Sequence, residues 1–250
     1  RLLGPSGRGA DLSRVRGSIS GGFGVDAAPK AWEEFALSEQ QIREFHERGF
    51  LSGVPLLSDA ECDALSAEVD ELLVRNHPAE HLWYGSHLPL VASGAWRLSP
   101  GFHDLIWSAR FRMAAYQLLG GPCRFLHDQI FCKPPAPRCP QSWFGFHQDL
   151  YYWSWTAPMQ HLTCWVALDD STEDNGCLQY VAGSHQWGLL PDIPAGAEPG
   201  IDAVKEVLSP WQRQAVLSAE RVPLRRGMAS FHHPLTLHGS DSNVTARPRR

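Results

Sequence analysis

At 250 residues, the chain has room for one sizeable hydrophobic core. Hydrophobic residues at 43% and charged residues at 20% give an ordinary globular composition, which excludes a disordered or fibrous chain. The net charge of -5 supplies no basic field for nucleic acid, and no apolar run reaches the length of a membrane span.

Residues 1–35 are expected to form a flexible tail, because glycine and arginine crowd the first 24 positions and no periodic apolar face is present. Residues 36–250 then read as a single domain. Ser38-Glu39-Gln40-Gln41 is a capping box, with Leu37 and Ile42 placed as a hydrophobic staple. The helix it opens runs to about Arg48, and Gly49 ends it. Phe50 to Leu57 is a strand-like run. Ser58 opens a second helix with Leu65, Val69, Leu72 and Leu73 on its buried face. A third helix is expected over 102–119, stopped by Gly120-Gly121-Pro122.

After Pro122 the pattern changes to short runs rich in aromatic and β-branched residues, at 124–133, 144–153, 161–168, 177–181 and 221–237. Turn residues such as Asp174-Asn175-Gly176 and Arg226-Gly227 separate them. Helices first and strands afterwards point to a sheet sandwich or barrel with helices packed outside. The proline-rich stretch 191–220, with a short helix near Pro210 to Ala219, is either a lid or a passive surface loop. The six cysteines form no CxxC pair and read as free thiols of a reducing, cytoplasmic setting.

The sharpest chemical feature is Phe146-His147-Gln148-Asp149. In a strand, residues i and i+2 share a face, so His147 and Asp149 reach one ion while Gln148 points away. An imidazole and a carboxylate from one strand, with a second imidazole from elsewhere, make the facial triad of non-haem Fe(II) oxygenases. Candidates for that imidazole are His232, His233 and His238. Arginines 247, 249 and 250 follow shortly, and an arginine fork suits the distal carboxylate of an oxo-acid cosubstrate. By themselves these arginines read better as a solvated terminus.

Three stretches, FGFHQDLYYWSW, HLTCWVALDDSTEDNGCLQYVAGSH and FHHPLTLHGSDSN, resemble the phytanoyl-CoA dioxygenase family in order, spacing and wording. LSEQQIREFHERGFL is similar to the start of that family's domain, so the likeness spans about residue 36 to the end. The resemblance implies a mainly β fold, a double-stranded β-helix (jelly-roll or cupin-like) core with N-terminal helices outside. Because the family continues beyond its cosubstrate arginine, it also implies C-terminal truncation and a missing final strand. It implies Fe(II), 2-oxoglutarate and O2 as cofactors, with His147, Asp149 and His238 as iron ligands. Arg249 and Ser240 fall where the family holds the 2-oxoglutarate tail, and Trp165 and Gln129 fall at positions lining that pocket. The family's cosubstrate lysine has no placed counterpart.

The implied reaction is hydroxylation, or another oxidation such as desaturation, of an unactivated C–H bond in a small, partly apolar molecule, with release of succinate and CO2. Related halogenases lack the carboxylate that Asp149 provides, which favours hydroxylation. By strand parity with His147 and Asp149, Tyr151 and Trp153 are the expected substrate-pocket residues among the aromatics running from Trp143 to Trp155. His185, His232 and His233 are expected to support the ligands. The expected partner is a small-molecule substrate, with no nucleic acid or membrane, on a monomer or homodimer. The alternatives are a zinc hydrolase or isomerase using the same site, and an inactive family member that binds a ligand.

Overall fold

A computed structural model of the chain describes residues 11–23, 32–74, 82–83, 90–154, 159–191 and 204–250. Helix α1 (Glu39–Arg48) begins as its sequence requires. Ser38 Oγ accepts from Gln41 N at 3.2 Å, and Gln41 Oε1 accepts from Ser38 N at 2.9 Å. It ends at Gly49, whose φ of +82° and close packing against His185 and Thr236 leave no room for a side chain. Strand β1 (Phe50–Pro55) and helix α2 (Asp59–Val74) follow. A hairpin of β2 (Leu82–Trp83) and β3 (Leu90–Ser93) comes next. That hairpin is absent from the sequence-based expectation, because its strands are too short to show alternation.

The helix expected over 102–119 is two: α3 (Pro100–Leu105) and α4 (Ala109–Leu119). Trp107 N and Ser108 N bond back only three residues, to Asp104 and Leu105, and the chain turns before Ser108 restarts the helix. The turn leaves the Asp104 carboxylate buried, and the N-terminal segment is tied to it. Asp104 accepts from Ile19 N at 2.7 Å, Ser20 N at 2.6 Å and Ser18 Oγ at 2.8 Å. Leu12 and Phe23 are buried, Phe23 in one cluster with Leu65, Val69 and Phe102. Residues 11–23 make few apolar contacts, and one buried carboxylate gathers their polar groups.

The remaining elements are β4 (Gln129–Cys132), β5 (Phe144–His147), β6 (Thr163–Val166), β7 (Leu178–Tyr180), helix α5 (Pro210–Leu217), β8 (Glu220–Val222), β9 (Met228–His232) and β10 (His238–Ser240). All pairings are antiparallel. One sheet has the order β1-β9-β6, the second β5-β10-β7-β8, and the third β2-β3-β4. The fold is mainly β, a jelly-roll core with helices outside.

Alternation divides the first sheet into two faces. Leu51, Cys164, Ala229 and Phe231 join Phe45, Ala114 and Leu118 under the helices. Each such large apolar side chain contributes about 1.5–3 kcal/mol when fully buried. Phe50, Thr163, Trp165, Ser230 and His232 take the opposite face, toward the second sheet. The outer face of that second sheet is covered in its turn: Phe146, Val181 and Leu237 pack with Val204, Leu208 and Val216. The 204–217 part of the insertion is thus core, not lid, while 192–203 lies outside the described residues. Among the described residues, no helix is long and apolar enough to cross a membrane.

Candidate active site

The register of the second sheet assembles the centre. His238 of β10 pairs with His147 of β5 on one side and with Tyr180 of β7 on the other, so the three lie in one row across the sheet. Asp149 is reached differently from the sequence expectation. The strand ends at His147, and Asp149 opens a 3-10 turn, Asp149–Tyr151. Gln148 still points away: it is buried and bonds to the carbonyls of Gly188 and Leu235 and to Leu190 N.

One donor atom from each of His147, Asp149 and His238 lies within 4.8 Å of the other two. The His147 and His238 rings are aimed by their backbones. His147 Nδ1 donates to the Gly145 carbonyl at 2.8 Å, and His238 Nδ1 to the Thr236 carbonyl at 2.9 Å. A carbonyl only accepts, so both protons sit on Nδ1 and both Nε2 lone pairs face inward. Asp149 Oδ1 lies 3.6 Å from His147 Nε2 and 3.7 Å from His238 Nε2. Burial and the neighbouring imidazoles of His147 and His232 hold His238 well below the ordinary histidine value, so it stays neutral. Burial alone would raise Asp149, but the His238, His232 and His147 imidazoles outweigh it and keep the carboxylate ionised. Two neutral imidazoles and one carboxylate on a single face are the donor set that fits Fe(II) with positions left open.

Beyond Ser240, on the same face of β10 as His238, lie two buried basic side chains. Lys133 and Arg249 form an antiparallel bridge, exchanging backbone bonds of 2.8 and 2.9 Å, so their side chains leave on one side. Arg249 is 2% exposed and Lys133 0%. Lys133 Nζ donates to Ser240 Oγ at 2.7 Å and to the Asp241 carbonyl. Arg249 Nη2 donates to the Gly176 carbonyl at 2.8 Å, its Nε has no partner, and its guanidinium faces the Trp165 ring at 5.3 Å. No carboxylate forms an ion pair with either cation among the described residues. Burial, and then Arg249, push Lys133 down to about 6; burial lowers Arg249 to about 10. A buried arginine and a buried lysine amine, neither with a counter-charge, make a subsite for an anion, which would favour the protonated amine.

The expected pocket residues divide. Trp165 and Ser240 join Arg249. Gln129 is exposed at the start of β4 and pairs with Ser93, and no hydrogen bond ties it to Arg249 or Ser240 among the described residues. The parity that selected Tyr151 and Trp153 does not survive the 3-10 turn. Tyr151 is 42% exposed, and it is Tyr152 whose ring faces His147, at 6.0 Å. Burial and the Asp149 charge push the Tyr152 hydroxyl up to about 12. Trp153 meets His127 edge-on at 4.9 Å. Trp155 lies outside the described residues. Lys133, Thr163 and Tyr180 carried no expectation, and Tyr152 carried one only as a member of the aromatic cluster from Trp143 to Trp155. Lys133 had one usable signal: it is one of only three lysines, set at the end of an apolar strand before Pro134-Pro135. His185 and His233 face each other at 5.4 Å near Gly49, away from the ligands, whereas His232 touches Asp149.

Gly239 separates the metal position from the anion subsite. A Cβ there would meet Phe144 O at 2.9 Å and Phe146 N at 3.1 Å, both backbone atoms of β5. Gly239→Ala is expected to cost about 1–3 kcal/mol and to push β10 off β5. Thermal unfolding together with metal titration checks this, and a variant with unchanged stability and affinity contradicts it.

A sequence model of the phytanoyl-CoA dioxygenase (PhyH) family matches residues 45–250. The methylphosphonate hydroxylase of Gimesia maris is 27% identical over 222 residues, covering 86% of this chain and 78% of that protein. The ectoine dioxygenase of Bordetella bronchiseptica is 30% identical over 233 residues, covering 86% and 73%. The solved structure of the non-heme alpha ketoglutarate dependent carbocyclase SnoK from nogalamycin biosynthesis superimposes with a TM-score of 0.66 at 25% identity, covering 85% of this chain and 81% of its own. With the matched segment spanning both halves of the His-Asp-His centre and the arginine behind it, the chain belongs to the phytanoyl-CoA dioxygenase family.

Proposed function

We propose that the chain is an iron(II)- and 2-oxoglutarate-dependent dioxygenase of hydroxylase type, acting on an unactivated C–H bond of a small, partly apolar molecule. One observation carries this reading: the Nε2 atoms of His147 and His238 and Oδ1 of Asp149 converge on one point, with buried Arg249 and Lys133 beside Ser240 on the adjoining stretch of β10. A zinc hydrolase has no use for a buried arginine without a counter-charge, set beside a buried lysine amine, at that place; an oxo-acid with a distal carboxylate does.

The chemistry supplied by bound iron and cosubstrate is insertion of one oxygen atom of O2 into C–H while the other enters succinate and CO2 leaves. His147 and His238 offer lone pairs whose direction the Gly145 and Thr236 carbonyls set. Asp149 offers the one negative charge among the ligands. Arg249 and Ser240, with Lys133, hold the far carboxylate, and Trp165 lies against the arginine. Tyr152 beside His147, with Tyr151 and Trp153 on the following turn, forms an aromatic wall on the substrate side that excludes water from the reacting bond. Hydroxylation is favoured because Asp149 keeps its ligand position and because methylphosphonate hydroxylase is among the relatives.

The test is an anaerobic titration. Fe(II) followed by 2-oxoglutarate is expected to develop a weak visible charge-transfer band, with succinate released on admitting O2 and a substrate. A folded protein that binds Fe(II) and shows no band defeats this reading.

A further inference from the structure

Asp149 has two oxygens, and the structure treats them differently. Oδ1 faces the two imidazole Nε2 atoms, as described above. Oδ2 is tied back: Thr163 Oγ1 donates to it at 2.5 Å, and His232 Nε2 lies 2.9 Å away. Thr163 and His232 are register partners on β6 and β9, so one row of the first sheet reaches across to a ligand of the second. Behind His232 the chain of bonds continues. Its Nδ1 lies 3.1 Å from the Tyr180 hydroxyl, which lies 2.8 Å from Ser230 Oγ. All three of His232, Tyr180 and Ser230 are buried.

The bond directions follow from the ends. An ionised carboxylate only accepts, so His232 Nε2 carries a proton and donates it. In the neutral ring Nδ1 then accepts from the Tyr180 hydroxyl, and the Tyr180 oxygen accepts from Ser230. The rings are fixed as well. Tyr180 stacks on Phe50 with centroids 4.5 Å apart and planes 16° apart, and Phe50 is the β1 register partner of His232. His232 also lies against the His238 ring, 4.3 Å between centroids.

We propose that His232, oriented by Tyr180 and Ser230, is a positioning residue that makes Asp149 a one-oxygen ligand. The proposal rests on the metal-site reading given above. A carboxylate with both oxygens free can take two positions on an ion. With Oδ2 held by His232 and Thr163, Asp149 would offer a bound ion one oxygen, Oδ1, and leave room for other ligands. Neither His233 nor His185 shares this role, since their contacts lie at Gly49, Leu235 and His46.

The experiment uses Co(II) as the probe, titrated anaerobically into the metal-free protein, reading affinity and the d–d bands that report coordination number. His147→Ala, which should lose the bound ion, first establishes the site. His232→Phe is expected to weaken Co(II) binding by about 10- to 100-fold, the usual effect of losing an outer partner of a ligand, and to change the intensity of the bands. His232→Gln keeps a donor toward Oδ2 and is expected to recover most of the affinity and the wild-type bands. Tyr180→Phe keeps the ring, loses the proton for Nδ1, and should fall between. A merely structural role would lower the melting temperature and leave the bands alone. A folded His232→Phe with wild-type affinity and bands overturns the proposal. If that variant does not fold, wild-type behaviour of Tyr180→Phe overturns it instead. Failure of the wild-type protein to bind Co(II) overturns the metal-site reading and this proposal with it.

Discussion

Asp149→Ala is expected to leave a folded protein that no longer retains Fe(II), and His147→Ala is expected to do the same. Of the three converging residues Asp149 alone brings a negative charge, and it is almost fully buried. Removing it leaves two neutral imidazoles to hold a dication in a site of low polarity. It also strands the hydrogens of Thr163 and His232 that now end on Oδ2. The loss of affinity should therefore exceed the roughly 10- to 100-fold that follows from deleting an outer partner. Anaerobic Fe(II) titration, with circular dichroism to establish folding, checks this. Iron held by Asp149→Ala at wild-type affinity would remove Asp149 from the ligand set.

The second large effect is expected at the anion subsite. Arg249→Ala should weaken 2-oxoglutarate by about 3 kcal/mol, roughly 100-fold, as expected for losing a charge-assisted bond in a buried place, while Fe(II) affinity changes little. Lys133 adds a pH dependence whose sign follows from its environment. Burial and Arg249 bring it down to about 6, so near neutral pH it is largely uncharged while the subsite is empty. A carboxylate favours the protonated amine, so binding takes up a proton, and affinity is highest below about pH 6 and falls as the pH rises above it. Arg249, at about 10, stays charged through this window.

Folding stability moves with the same titration. The unfolded chain binds the Lys133 proton up to about pH 10.4, and the folded chain releases it near 6. Between the two the unfolded state carries more protons, so stability of the empty protein rises with pH across this window. Lys133→Met is expected to abolish both the proton uptake and the pH dependence of cosubstrate affinity. Calorimetry in buffers of different ionisation enthalpy measures the uptake directly. A wild-type 2-oxoglutarate constant in Arg249→Ala, or proton uptake that survives in Lys133→Met, would refute these assignments.

Legibility was greatest where the signal is local. Ser38, Gln41 and Gly49 bound α1 because a capping box and a left-handed glycine act within a few residues. The short helix expected near Pro210 to Ala219 is α5, which Ser209 and Gln212 open with a second capping box. It failed where a short-range pattern continued through a break. The apolar face over 102–119 gives no hint that the chain turns between Leu105 and Ala109, or that Asp104 lies inward and holds Ile19 and Ser20. Strand alternation was extended through Asp149 to Tyr151 and Trp153, but the backbone turns at Asp149, and the ring beside His147 is Tyr152.

The sequence by itself determined the pair His147 and Asp149 and left His232, His233 and His238 open as the third ligand; the resemblance to the phytanoyl-CoA dioxygenase family is what pointed to His238, and to Arg249 among the arginines after it. What the tertiary structure decided is everything that depends on register between distant strands. His147 meets His238 because β5 pairs with β10; His232 meets Asp149 because β9 and β6 face the second sheet. Lys133 becomes an anchor candidate only because it bridges to Arg249, more than a hundred residues later. Cross-strand pairing is set by the packing of whole sheets against helices, and no window of local sequence contains it.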